Sequence, residues 1–116
     1  MTTYDAAAVR AQHRAWAQRS REQAKRRNRE HIQRIKLERG CTDCGYRAHP
    51  HALDFDHLPG LGKTVNVAML AAGGASIERI DEEIALCEVV CANCHRIRTC
   101  DRGWGSLSEF AQEASR

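Results

Sequence analysis

The first forty residues are largely polar, and no glycine or proline interrupts the stretch from Tyr4 to Glu38. Ala, Arg, Gln, Glu and Lys dominate this stretch, and all of them favour the helical conformation. Apolar positions form only a thin stripe, which is broken between Arg19 and Arg29. The pattern predicts one long helix, or two that nearly join, with most of its surface in solvent.

A short alternating pattern follows at Ala52–His57. Leu53 and Phe55 share one face of this segment, and Asp54 and Asp56 share the other. A period of two with apolar residues on one side only is typical of a half-buried strand. We therefore predict a strand that carries its acidic residues on the polar face.

A second short strand is predicted at Lys63–Val67, after a wide turn of proline and glycine. A helix is predicted from Ser76 onward, because Ile77, Ile80 and Ile84 recur at helical spacing behind a serine cap. The positions assigned to the polar side of this helix are Glu78, Glu82 and Glu83.

Two more helices complete the prediction. One begins within His95–Thr99, and a short C-terminal helix follows a Ser-x-x-Glu capping box. The chain then divides into a basic helical arm at 1–40, a small domain at 41–103 and a C-terminal helix at 104–116. The predicted class is α+β.

The charge is distributed unevenly along the chain. Residues 1–40 carry 11 Lys and Arg against 4 Asp and Glu, a net charge of +7, whereas residues 41–116 carry a net charge of −4. A basic arm joined to a mildly acidic body is typical of proteins that bind a polyanion with one part and act on it with another. DNA is the expected partner. A long basic helix also suits pairing with a second copy or docking on another protein, such as a component of a phage packaging machine.

Six cysteines in 116 residues predict a metal site, since so short a chain buries little apolar surface. Cys41 and Cys44 form one C-x-x-C pair, and Cys91 and Cys94 form another. Two such pairs supply four thiolates to one tetrahedral zinc ion. The sequence begins without an apolar leader, which predicts a cytoplasmic protein with reduced thiols.

The residues near these pairs resemble those of the HNH endonucleases, which have the ββα-metal (His-Me finger) fold. The likeness covers roughly residues 41–99 and is carried by Asp56-His57 and by Cys94-His95-Arg96. It is strongest with the small phage and bacterial members in which two C-x-x-C pairs flank the site. It implies a zinc-stabilised ββα-metal domain that hydrolyses phosphodiester bonds in DNA.

The resemblance also implies individual roles. His57 is the general base that activates water, while Asp56 and His95 hold a catalytic Mg²⁺ or Mn²⁺ ion. The middle Asn of the motif is Asn93 or Asn66, and Asn93 is the preferred candidate. From the basic charge alone, and not from the resemblance, contacts with DNA phosphates are expected from Arg19, Lys25, Arg26, Arg27, Arg29, Lys63, Arg96 and Arg98.

A non-catalytic DNA-binding module of the zinc-ribbon type is the alternative, since the basic arm and a zinc cluster are sufficient for it. That interpretation assigns no role to Asp56 or His57. Asp54, two residues before Asp56, is either a support for the metal ligands or a solvated acid.

Overall fold

The computed structural model describes residues 5–62 and 65–103, so Lys63 and the predicted C-terminal helix lie outside the described residues. The described part is a mixed α+β structure with a long N-terminal helix and a small two-stranded sheet. Its helices and strands are α1 (Ala6–Arg39), β1 (Leu53–His57), α2 (Val67–Ala72), α3 (Ile77–Ile84), β2 (Cys87–Cys91) and α4 (Ala92–Asp101).

Helix α1 is a single helix of 34 residues, about 51 Å long at 1.5 Å per residue. It begins at Asp5, whose carboxylate accepts hydrogen bonds from the backbone amides of Ala7 and Ala8. It ends at Gly40, where φ is 67°. The predicted long helix is therefore confirmed.

Helix α1 contacts the rest of the protein through its C-terminal half. Asn28 and Ile32 are buried, at 0% and 8% exposure, and Ile35 packs against the same apolar cluster. The N-terminal half is largely exposed, as Trp16 with 66% exposure illustrates. The helix is thus anchored at one end and presents its other end to solvent.

Strand β1 forms where the alternating pattern predicted it, and it pairs antiparallel with β2. The register places Leu53 opposite Cys91 and His57 opposite Cys87. The strand predicted at Lys63–Val67 is wrong, because Asn66 caps a helix there and Val67 is its first residue. The partner of β1 lies some thirty residues further along the chain, as the register shows.

Helix α4 follows β2 directly and packs on both strands. The Sγ atom of Cys91 accepts a hydrogen bond from the backbone amide of Cys94 (3.4 Å), which caps the helix. The predicted helix around His95 is confirmed. One face of α4 lies over the acidic side of β1, where His95 and Arg98 contact its aspartates.

Two small apolar clusters hold these elements together. One joins α1, α2 and α3, and the other lies between the first cysteine pair and the sheet; Phe55 packs against both. Their buried members are Ile32, Val67, Ala71, Ile80, Ile84 and Cys87 in the first, and Cys41, Leu53, Val89 and Val90 in the second. No helix in the described part of the chain is both long and apolar enough to cross a bilayer.

Candidate metal centres

The four predicted zinc ligands come together where the two C-x-x-C segments meet. The sulfur atoms of Cys41, Cys44, Cys91 and Cys94 all lie within 4.8 Å of one another, and those of Cys44 and Cys91 are 3.8 Å apart. Around a zinc ion with Zn–S bonds of about 2.3 Å, tetrahedral sulfurs are separated by about 3.8 Å. This donor set therefore fits a structural zinc ion.

Backbone groups favour the thiolate form of Cys41. Burial raises the pKa of the Cys41 thiol, but backbone amides of Cys91, Cys44 and Asp43 that point at the sulfur lower it to about 6. The turn closes at Gly45, whose φ of 80° suits glycine and whose amide donates to the Cys41 carbonyl (2.9 Å). The loop thus favours the thiolate that zinc binds.

A second group of candidate ligands lies between β1 and α4. The Nδ1 atom of His95 is 3.1 Å from Oδ2 of Asp54, and its Nε2 atom is 3.6 Å from Oδ1 of Asp56. A carboxylate only accepts hydrogen bonds, so the Nδ1 atom of His95 donates to Asp54, and the Nε2 atom of the ring faces Asp56. Metal-binding histidines are commonly oriented by a carboxylate in this way.

The pair of Asp56 and His95 offers one carboxylate and one imidazole. Two ligands of an octahedral ion with bonds of about 2.1 Å lie about 3.0 Å apart when adjacent and about 4.2 Å apart when opposite. The observed 3.6 Å falls between these values. Within residues 5–62 and 65–103, the four cysteines are the one group of three or more potential ligands, so this pair has no third protein ligand.

Asp56 also accepts hydrogen bonds from two arginines, one on α4 and one at the C-cap of that helix. Arg102 donates to both of its oxygens, at 2.7 and 2.8 Å, and Arg98 adds a third hydrogen bond of 2.9 Å. Only 4% of Asp56 is exposed. Burial raises the pKa of Asp56, but the hydrogen bonds from Arg102 and Arg98 outweigh it and hold the pKa below the ordinary value. The carboxylate is therefore ionised at neutral pH.

The predicted base His57 lies elsewhere. It is the last residue of β1, and it projects from the face opposite Asp56 as alternation along a strand requires. Its Nε2 atom is 3.0 Å from Oε1 of Glu83 on α3. The described contacts thus bring Asp54, Asp56 and His95 together and pair His57 with a different acid.

The two candidate asparagines lie apart from this group. Asn66 caps α2, and its side-chain oxygen accepts from the Ala68 amide at 2.8 Å. Asn93 is exposed on the first turn of α4. It is two residues before His95, which corresponds to about 200° around the helix, so the two side chains point in nearly opposite directions.

The basic residues predicted to contact DNA differ in their surroundings. Arg19 and Arg29 are exposed on α1, and Lys25 and Arg26 form exposed ion pairs with glutamates of the same helix. Arg27 instead contacts the body, where it donates to the carbonyl of Ala75 at 3.2 Å. Helix α1 therefore presents cations to solvent along much of its length.

On α4, Arg96 is exposed, whereas Arg98 is enclosed by carboxylates. Arg98 forms a two-bond contact with Asp43, at 2.7 Å for each bond, and it also contacts Asp56 and Glu88. This arginine joins the first cysteine pair to both strands and α4. Its position indicates a structural role in place of the expected phosphate contact.

Two residues of the region were not identified from the sequence. Arg102 is one, and it lies seven positions after His95, which places both on the same face of α4. Glu83 is the other: it was assigned to the polar side of its helix, yet only 1% of it is exposed. Glu83 is three residues after Ile80 and one before Ile84, and this spacing beside the apolar face of α3 was the available signal of its burial.

No protein-family model, curated protein or solved structure matches this chain.

Proposed function

We propose that this chain is a metal-dependent DNA endonuclease of the HNH type, built on a ββα-metal fold. The observation that carries the proposal is the contact of His95 with two carboxylates of β1. Asp54 contacts the Nδ1 atom of His95, and the Nε2 atom of the same ring faces Asp56 at 3.6 Å. An imidazole and a carboxylate supported in this way suit a divalent ion whose other ligands are water and phosphate.

His57 is the proton acceptor in this proposal. A neutral imidazole, with an ordinary pKa of about 6.5, takes a proton from water near neutral pH. The water oxygen bonds to phosphorus, its proton passes to His57, and the bond from phosphorus to the leaving oxygen breaks. The leaving oxygen takes a proton from solvent. A Mg²⁺ or Mn²⁺ ion bound by Asp56 and His95 supplies charge stabilisation at the phosphate.

The positions of these groups define where DNA must pass. His57 ends β1 and leaves it on the face opposite Asp56, and the chain turns away after Leu58. A phosphate bound across this end of β1 would lie near both faces of the strand, and so near both Asp56 and His57. The proposed substrate position is therefore the carboxyl end of β1.

The basic helix supports nucleic acid as the substrate. Residues 1–40 carry a net charge of +7, and in the described part of the chain the C-terminal half of α1 packs against the body. Lysine and arginine that approach phosphates release bound counterions, which favours association at low salt. Helix α1 would hold the duplex while the zinc-stabilised domain reaches the scissile bond.

The second candidate is a zinc-stabilised DNA-binding module without catalysis. One observation favours it: both oxygens of Asp56 accept hydrogen bonds from Arg102, and His57 contacts Glu83. In that case Asp56 is a structural acceptor for the arginines of α4.

Cleavage of supercoiled plasmid by the zinc-loaded chain separates the two candidates. We expect nicked or linear product with Mg²⁺ or Mn²⁺ and none after addition of a chelator. His57→Ala should retain zinc and DNA binding but lose cleavage by at least about 100-fold. If the wild-type chain binds DNA and leaves it intact with either metal, the binding module is correct.

A further inference from the structure

Glu83 is a buried acid that none of the roles above uses. It lies on the last turn of α3, and only 1% of it is exposed. Among the described residues, its carboxylate contacts the Nε2 of His57 at 3.0 Å, the backbone amide of Val65 at 3.2 Å and the guanidinium of Arg79 at 3.4 Å.

A carboxylate is costly to bury unless hydrogen bonds and an opposite charge compensate for the water it loses. Arg79 supplies the charge, one helical turn before Glu83 on the same helix. The backbone amide of Val65 and the Nε2 atom of His57 both contact Oε1 of Glu83. The donors arranged around Glu83 therefore suit an ionised carboxylate that accepts from His57.

The direction of this hydrogen bond determines which nitrogen of His57 carries the proton. An ionised carboxylate has no proton to donate, so the Nε2 of the ring must be the donor. In a neutral imidazole the other nitrogen, Nδ1, then has the free lone pair. His57 has only 15% of its side chain exposed, so the ring cannot reorient without breaking this contact.

We infer that Glu83 is the positioning residue for His57, which it fixes in the Nε2-protonated tautomer so that Nδ1 is the proton acceptor. This inference rests on the proposed nuclease function for its catalytic meaning, but the tautomer itself is a property of the folded protein. When Nδ1 takes a proton from water, the ring becomes an imidazolium, and the Glu83 carboxylate stabilises the positive charge.

The tautomer can be measured without DNA or a catalytic metal. In the zinc-loaded full chain labelled with ¹⁵N-histidine, the ring nitrogens are observed by NMR at pH 8.5, and the His57 signals are assigned by their loss in His57→Gln. We expect Nε2 to show the shift of a protonated nitrogen and Nδ1 that of an unprotonated one. A ring protonated on Nδ1, or an even mixture, overturns the inference in the wild-type protein.

Two variants test the cause. Glu83→Gln keeps the size of the side chain but can donate as well as accept, so the His57 tautomer should become mixed or reversed. Glu82→Gln is the matched control, since Glu82 is the preceding residue, is 73% exposed and is also near Arg79. A His57 spectrum that stays the same in both variants contradicts the inference.

Cleavage then distinguishes this inference from the proposed function. If the wild-type chain cuts DNA, Glu83→Gln should lower the rate by about 100-fold, with zinc content and DNA affinity unchanged. Equal rates in the Glu83 and Glu82 variants would refute positioning while the nuclease assignment stands. If the wild-type chain does not cut, the nuclease assignment fails, and the NMR result alone decides whether Glu83 fixes the tautomer.

Discussion

Asp54 and His95 are 41 residues apart in the chain, yet Oδ2 of Asp54 lies 3.1 Å from Nδ1 of His95. Asp54→Ala removes the acceptor that orients this ring. Loss of such a support commonly weakens metal binding by about 10- to 100-fold. We expect this decrease in Mn²⁺ affinity, measured by calorimetry on the zinc-loaded chain.

Zinc content should be unchanged in Asp54→Ala, because the four cysteines do not depend on Asp54. Glu38→Gln, an exposed acid on α1, is the control for the loss of one negative charge. Equal Mn²⁺ affinity in both variants would show that the contact of Asp54 with His95 does not support a metal.

The cysteine cluster makes a second prediction. One zinc ion should bind per chain, and Cys44→Ala should abolish stoichiometric zinc and unfold the small domain. Structural zinc in small peptides contributes about 10 to 16 kcal/mol of apparent binding free energy. Metal analysis and near-ultraviolet circular dichroism measure the two effects.

Cys100→Ala is the matched control, since Cys100 lies on α4 outside the four-sulfur group. It should retain one zinc ion and the wild-type spectrum. A Cys44→Ala protein that keeps full zinc and native packing would contradict the assignment of the cluster.

Asn28 makes a prediction about stability. It is fully buried, and its Nδ2 donates to the carbonyls of Ala71 (3.2 Å) and Ala75 (2.9 Å). Asn28→Ala leaves these carbonyls without that donor, which costs about 2 to 3 kcal/mol of unfolding free energy. Urea denaturation of the zinc-loaded chain measures the change. Gln18→Ala, at an exposed position of the same helix, should stay within about 0.5 kcal/mol of wild type.

Arg96 and Arg98 were both expected to contact DNA, and their surroundings now separate them. Arg98→Lys loses the two-bond contact with Asp43, so we expect a loss of stability and no change in the salt dependence of DNA binding. Arg96→Ala should leave the stability unchanged and lower the salt dependence of DNA binding. Urea denaturation measures the stability of each variant, and DNA titration at several salt concentrations measures its salt dependence. A destabilised Arg96 variant together with a stable Arg98 variant would refute the structural role of Arg98.

The arm on α1 makes a fifth prediction. Arg19, Arg26 and Arg29 lie within about 80° of one another around the helix. Their joint replacement by alanine should lower the slope of log affinity against log salt by about 2 to 3, at about 0.9 for each phosphate contact.

A matched triple replacement tests whether that face of α1 matters. Arg10, Arg14 and Arg21 are centred about 130° away from the first set around the helix, and they carry the same total charge. Their replacement should change the slope less. Equal effects of the two triples would mean that α1 binds DNA by charge alone.

Local patterns were sufficient to predict much of this fold. Helix α1 follows from composition, β1 from alternation, and α3 from apolar spacing behind Ser76, because each signal lies within one short segment. The cysteine cluster was also predictable, since two C-x-x-C pairs in one short chain are typical of a zinc site. A supporting role for Asp54 was one of two open alternatives, and its contact with His95 was not predicted.

Long-range partners were not predictable in this way. A strand was predicted at Lys63–Val67, but Asn66 caps a helix there, and the partner of β1 is identified only by the register of the sheet. Glu83 was misassigned because helical periodicity does not show which residue of another element it meets. Its contact with His57 depends on how α3 packs beside the end of β1.

The most direct test of the nuclease proposal is the dependence of plasmid cleavage on Mn²⁺ for the zinc-loaded wild-type chain and for Asp56→Ala and His95→Ala. The wild-type chain should cut with a saturable dependence on Mn²⁺, and both variants should keep zinc and lose cleavage by about 100-fold or more. Cleavage by either variant at the wild-type rate, or no cleavage by the wild-type chain at any Mn²⁺ concentration, would contradict the account.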